Sequence, residues 1–157
     1  MLSQFCNRKL DAFLLAKTGN MDSETKNIVR ARAIDRCEYC HLPQAATPFI
    51  TFHIEHVIAK QHTPDIEDTD SLERLALACD RCNLFKGPNL SSIDPATGEI
   101  VRLFNPRQEN WDDHFALDGG LIRGKSPTGR TTARLLHMND SRRVDLREQW
   151  LEEGGEI

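Results

Sequence analysis

Two short motifs, "CEYC" (Cys37, Cys40) and "CDRC" (Cys79, Cys82), constrain what this chain can fold into more than anything else in it. In each, two thiolates on a tight knuckle can face one ion. Two such knuckles complete a tetrahedral four-cysteine zinc site, closed and therefore structural. The 38 residues between Cys40 and Cys79 exceed the gap of the simplest zinc ribbon, so something of substance folds between the knuckles. Five cysteines without a secretory signal imply a reducing compartment, the cytoplasm, where paired cysteines hold metal more often than they form disulfides. A redox CxxC is the alternative for either pair alone, and two matched pairs argue against it.

The length of 157 residues suits one modest domain, or a small core with appended elements. The best apolar runs, such as "AFLLA", fall far short of the roughly 18 residues a membrane span needs. Residues 1–21, with Cys6, read as an N-terminal extension to which no role is assigned. "MDSETKNIVRARAIDR" then reads as a helix capped by Asp22 or Ser23, with Ile28, Val29, Ala31, Ala33 and Ile34 at its apolar positions. "PFITFHIEHVI" is β-branched and aromatic, hence a strand with a turn or bulge near its end. "HTPDIEDTDS" is a polar loop, and apolar "LERLALA" leads into the second knuckle. "CDRCNLFKG" forms a short helix stopped by Gly87 and Pro88. "SIDPATGEIVRLF" reads as a hairpin around "DPATG", and "SPTGRTTARLLHMND" and "SRRVDLREQWLEEGG" as two closing helices, the last ended by Gly154.

A net charge of −4 does not advertise a nucleic-acid binder, so the distribution of charge matters more than the total. Between residues 121 and 147 stand Arg123, Lys125, Arg130, Arg134, Arg142, Arg143 and Arg147, against Asp140 and Asp145. That run reads either as a basic face or as a solvated charged helix. The acids gather in "PDIEDTDSLE" and in the tail.

Three of the six histidines and a glutamate fall within "FHIEHVIAKQH". "IEHVIAKQH" followed by "LALACDRCNLFKG" resembles the HNH endonucleases, most specifically over residues 37–87. The later stretches "PNLSSIDPATGEIVRLFNPRQENWDDHF" and "SPTGRTTARLLHMN" resemble the extension of one bacterial branch. The resemblance implies an α+β chain: a ββα-metal finger with a four-cysteine zinc support over residues 22–90, flanked by helices. A hairpin-plus-helices extension over residues 91–157 would pack on it. It implies a nuclease acting on DNA, with His56 as general base, because neutral imidazole accepts a proton near pH 7. Glu55 and Asn83 would hold a catalytic Mg²⁺ or Mn²⁺ through hard oxygen atoms. Lys86, one turn past Asn83, would touch a phosphate, and Arg81 would join it in binding nucleic acid. Adjacent strand residues face opposite sides, so Glu55 and His56 reach one phosphate only with a local twist or bulge.

Two departures stand out. Glu55 occupies a position where the family often has Asp. Arg74 occupies that of the middle Asn, which braces the finger, and arginine has no acceptor. His53 and His62 are candidates for support of the site or for plain polar and packing roles. His114 and His137 are read as packing residues, His137 as core, and His41 as exposed. A nucleoside deaminase, with His53, Cys79 and Cys82 on zinc and Glu55 as proton shuttle, fits "HIE" and "CDRC" in outline. Ala78 in place of proline and idle Cys37 and Cys40 count against it. The stronger alternative is the same finger as a binding module without cleavage.

Overall fold

The computed structural model describes residues 21–64, 66 and 68–157. Cys6 and the rest of the N-terminal extension up to Asn20 lie outside the described residues. Helix α1 (Ser23–Arg32) opens on Asp22, whose carboxylate accepts from the Thr25 amide at 2.8 Å. It is shorter than the sequence pattern suggests. The Asp35 amide donates back to the Arg30 carbonyl at 3.0 Å, with Ile34 and Asp35 both left-handed (φ 51° and 47°). This turn throws Ile34 outward and leaves Val29 as the helix's fully buried side chain, so Ile34 and Ile28 are exposed rather than core.

The first knuckle follows, and its chain crosses to β1 (His53–His56), which pairs antiparallel with β2 (Leu75–Ala78). Register is unbroken: His53 opposite Ala78, Ile54 opposite Leu77, Glu55 opposite Ala76 and His56 opposite Leu75. The expected bulge is therefore not used. Glu55 turns inward and His56 lies half-buried on the other face. All four residues of β2 are buried, so this hairpin is covered on both sides. Helix α2 (Asp80–Lys86) starts at Cys79 and stops at Gly87, whose φ of 46° suits glycine. Together β1, β2 and α2 make the ββα finger.

Beyond it, β3 (Ser91–Ile93) and β4 (Ile100–Arg102) form the expected hairpin, its turn organised by fully buried Asp94 accepting from the Ala96 amide. A one-turn helix α3 (Trp111–His114) leads to a second hairpin, β5 (Phe115–Asp118) and β6 (Leu121–Gly124), which the sequence pattern does not reveal. Helices α4 (Pro127–Leu135) and α5 (Ser141–Glu152) close the chain where expected. Ser126 caps α4 by accepting from the Gly129 amide at 3.0 Å. The basic run of 121–147 is neither one face nor a solvated helix. Arg143 and Arg147 are buried, and Arg130 forms a two-pronged pair with Asp94. Two histidines also differ from expectation. His41 is half-buried, stacked on Trp111 at 4.2 Å, and His137 is about half exposed. Both have positive φ, which turns their rings away from the positions that sequence spacing suggests.

α4 lies flush on the second hairpin because Gly129 has no side chain. A Cβ there would come within 2.0 Å of the His114 carbonyl oxygen. Gly129→Ala, despite its better helix propensity, should lower stability by about 1–3 kcal/mol, the usual range for overpacking. The check is a lower urea midpoint at unchanged m-value.

Candidate active site and metal centre

The four cysteines of the two knuckles are all buried, and their Sγ atoms lie within 4.8 Å of one another. The separation of Cys40 and Cys79 is 3.8 Å. A tetrahedral ion with bonds of about 2.3 Å sets its ligand sulfurs about 3.8 Å apart, so the cluster fits zinc. Local backbone supports it: Cys79 is both ligand candidate and N-cap of α2, its sulfur accepting from the Cys82 amide at 3.4 Å. Burial, and then the neighbouring thiols, push the Cys37 thiol well above its ordinary value. Four thiolates coexist here only around a cation.

A second positive charge comes from far along the chain. Arg143 of α5, 4% exposed, donates to the sulfurs of Cys79 and Cys40. Burial works against its charge, and the thiolates of Cys40, Cys79 and Cys82 more than offset that, raising its pKa. Arg147, one turn on and fully buried, donates to the carbonyls of Gly120 and Met138. No sequence pattern marks Arg143 as a partner of the cluster or Arg147 as buried.

The residues between the first pair of cysteines reach the finger. Tyr39 donates its hydroxyl to Glu55 Oε1 and accepts the Trp111 indole N–H on its carbonyl at 2.9 Å. Glu38 accepts from the Leu77 amide at 2.8 Å and pairs with Arg107 and Arg32. The other oxygen of Glu55 is 3.0 Å from Lys86 Nζ. Glu55 is 6% exposed and Lys86 2%. The expected surface lysine is thus a buried counter-ion, because α2 packs its last turn onto β1 and an ammonium there is stable only beside a carboxylate. Lys86 also donates to the His56 carbonyl at 3.3 Å. Asn83 stands three residues earlier on α2, one turn along the same face and half-buried.

His56 projects to the other side, where its Nε2 lies 2.8 Å from Asp70 Oδ1. Lys60 Nζ meets the same oxygen at 2.7 Å. Partial burial opposes ionisation of Asp70, but the bonds from Lys60 and His56 outweigh it and hold the carboxyl below its ordinary range. An ionised carboxylate only accepts, so Nε2 carries the ring proton and Nδ1 is left as the basic nitrogen. Nδ1 has no partner among the described residues. Asp70 sits in the acid-rich loop, where nothing in the sequence separates it from its neighbours. His53 is exposed, His62 Nε2 meets the Pro88 carbonyl at 2.9 Å, and Arg81 lies over the Phe85 ring at 5.7 Å. Arg74 ends the turn before β2, and its carbonyl accepts from the Val57 amide at 2.9 Å.

The fold and site define a ββα finger beside four clustered cysteines that fit a metal ion, with a carboxylate-held histidine on its first strand. Residues 37–89, the span of both knuckles, β1, β2 and α2, match the HNH endonuclease family. The chain is also similar to the Septu protein PtuB of Bacillus thuringiensis, 26% identical over 110 residues, covering 70% of this chain and 39% of that protein. It thus spans well under two thirds of that relative's length. No solved structure matches the chain. Among the described residues no helix is long and apolar enough to cross a membrane.

The chain should purify with about one tightly held metal ion. Cys37→Ser should lose it and unfold the finger. Arg143→Met should keep the fold but release the ion roughly 10–100-fold more readily, as second-layer partners of metal ligands do. Metal content by mass spectrometry and competition with a chelating dye read both.

Proposed function

We propose that this chain is a metal-dependent HNH endonuclease that hydrolyses phosphodiester bonds in DNA, with His56 as the general base. The observation that carries the reading is the Asp70–His56 pair, which leaves Nδ1 of a strand-anchored imidazole ready to take a proton. Nδ1 removes a proton from water, the oxygen attacks phosphorus in line, and the bond to the 3′ oxygen breaks. The leaving oxygen takes its proton from solvent. Asp70 stabilises the imidazolium formed at His56, and Lys60 keeps Asp70 ionised.

Glu55 and Asn83 offer the hard oxygen atoms that suit Mg²⁺ or Mn²⁺. Such an ion would supply charge stabilisation at the phosphate and the departing oxygen. With β1 unbroken, Glu55 faces away from His56, so the two meet at one phosphate only after a local twist of the strand. Glu55 is available to it only if Lys86 gives up its ion pair. The ion on the four cysteines is taken as zinc in a structural role, holding α2 against β1. Paired cysteines that hold metal rather than form disulfides support a cytoplasmic setting for this activity.

The Glu55–Lys86 pair supports a second reading, a finger that binds nucleic acid without cutting it, since Glu55 is already neutralised. Nicking of supercoiled plasmid with Mg²⁺ or Mn²⁺ separates the two. His56→Ala should keep its fold and metal content while cleavage falls about 10²–10⁴-fold, the usual contribution of a general base. Wild-type protein that binds plasmid and never nicks it would leave the binding module. Equal nicking by both proteins would overturn the role of His56.

A further inference from the structure

The sequence departure at Arg74 finds a setting in a cavity of about 550 Å³ beside β1. Three arginines from distant parts of the chain line it: Arg32 of α1, Arg74 before β2, and Arg107 from the segment after β4. Val57 and Ile58, which directly follow His56, also line it. Two of the arginines are committed. Arg32 donates to the carbonyls of Leu72 and Leu75 at 2.8 and 2.7 Å, and Arg107 pairs with Glu38. Glu38 is itself shared among Arg32, Arg107 and the Leu77 amide. That one half-buried carboxylate is the acid partner of both.

Arg74 differs. The residue is half-buried, and its guanidinium has no hydrogen bond or ion pair among the described residues. The Nε of Arg107 is likewise buried without a partner. Burial, and then the nearness of Arg32, push Arg107 down to about 10. Glu73 also lines the recess, but three arginines outweigh it, and donors left over in such a net-cationic recess are costly unless an anion accepts from them. The fork of a guanidinium matches two oxygens of one phosphate.

We propose that this recess is a phosphate pocket for the DNA backbone, with Arg74 as its principal contact. It takes a phosphate next to the one at His56. This deepens the nuclease reading and rests on it. The chain from His56 to Ile58 spans at most about 7 Å, and phosphates rise about 3.4 Å apart along one strand. Pocket and base therefore lie within a nucleotide or two of each other. The Val57–Arg74 backbone bond fixes their relative position. The phosphate contact that sequence spacing assigned to Lys86 falls instead to a residue at the head of β2.

The test uses the whole chain and a fluorescein-labelled DNA duplex, with anisotropy read across a salt series and no divalent ion added. Arg74→Asn should weaken binding roughly 10-fold and reduce the slope of log K against log salt by about 1, the signature of one lost phosphate contact. Arg74→Lys should restore most of the slope. Unchanged far-ultraviolet circular dichroism and metal content exclude misfolding. In plasmid nicking, Arg74→Asn should raise KM with little change in kcat.

Equal affinity and equal slope for wild type and Arg74→Asn would overturn the pocket while leaving the nuclease reading untouched. Inorganic phosphate is the second probe. Arg74-dependent protection against thermal unfolding by phosphate, with DNA affinity unchanged, would overturn the backbone assignment in favour of a free anion. Arg74-dependent DNA binding by a wild-type protein that never nicks would sustain the pocket and sink the nuclease reading instead.

Discussion

Four sulfur atoms within 4.8 Å of one another are the constraint on which the rest depends. The hairpin they support is only four residues on each strand, too short to stand alone in water. Helix α2, of seven residues, is likewise too short to hold itself. Closing the loop between the knuckles on one ion removes the entropy that would otherwise keep these pieces apart. A tetrathiolate around a divalent ion carries a net charge of about −2, so its burial needs positive charge nearby. Arg143 supplies it from α5, at the other end of the chain. The extension thus reaches the metal cluster itself, as well as packing around the finger.

Between Cys37 and Cys40 the two intervening side chains carry that rigidity in two directions. Tyr39 reaches Glu55 on β1, and Glu38 reaches the Leu77 amide, Arg32 and Arg107 around the arginine-lined cavity. Trp111 closes over the knuckle from outside, its indole on the Tyr39 carbonyl and its ring on His41. A change at the metal would be felt at Glu55 and at the cavity together, because both are fastened to the same turn.

What the sequence made legible follows from local rules. The paired CxxC spacing, the Gly87 stop and the "DPATG" turn each act over a few residues, and each stands where expected. The strand expected over residues 48–58, by contrast, forms only at His53–His56, the run before it being turns with Phe49 exposed. The second hairpin went unseen because "FALDGGLIRG" is short, and its pairing is completed by the Asn139 side chain bonding both backbone groups of Ile122, a contact across 17 residues. Glu55, His56 and Asn83 were nameable from motif, but their partners were not. Asp70 is one acid among several in its loop. Lys86 changes from surface cation to buried counter-ion only once α2 is packed. Arg143 looked like part of a basic run until its helix was laid on the sulfurs. Pairing across the chain is set by packing, which no window of residues contains.

The two faces of β1 then divide the work by how firmly their partners are held. On the inner face Glu55 is pinned by Tyr39 and Lys86, both buried, and separating such a pair costs about 3–5 kcal/mol when nothing replaces the lost partner. On the outer face His56 depends on Asp70 and Lys60, which are partly exposed and belong to the loop that leaves the strand. Electrostatics on that side is screened by water and is correspondingly weak. The ring's tautomer therefore follows the order of the loop, whereas the position of the carboxylate follows the metal cluster. A substrate strand lying along the loop would steady Asp70 and exclude water from it, strengthening its hold on Nε2 at the moment Nδ1 has to accept a proton. The same strand's phosphate would find Arg74, whose donors face no partner among the described residues. Binding at Arg74 and the order of the Asp70 loop around His56 would thus be coupled through the Val57–Arg74 backbone bond and the loop it closes.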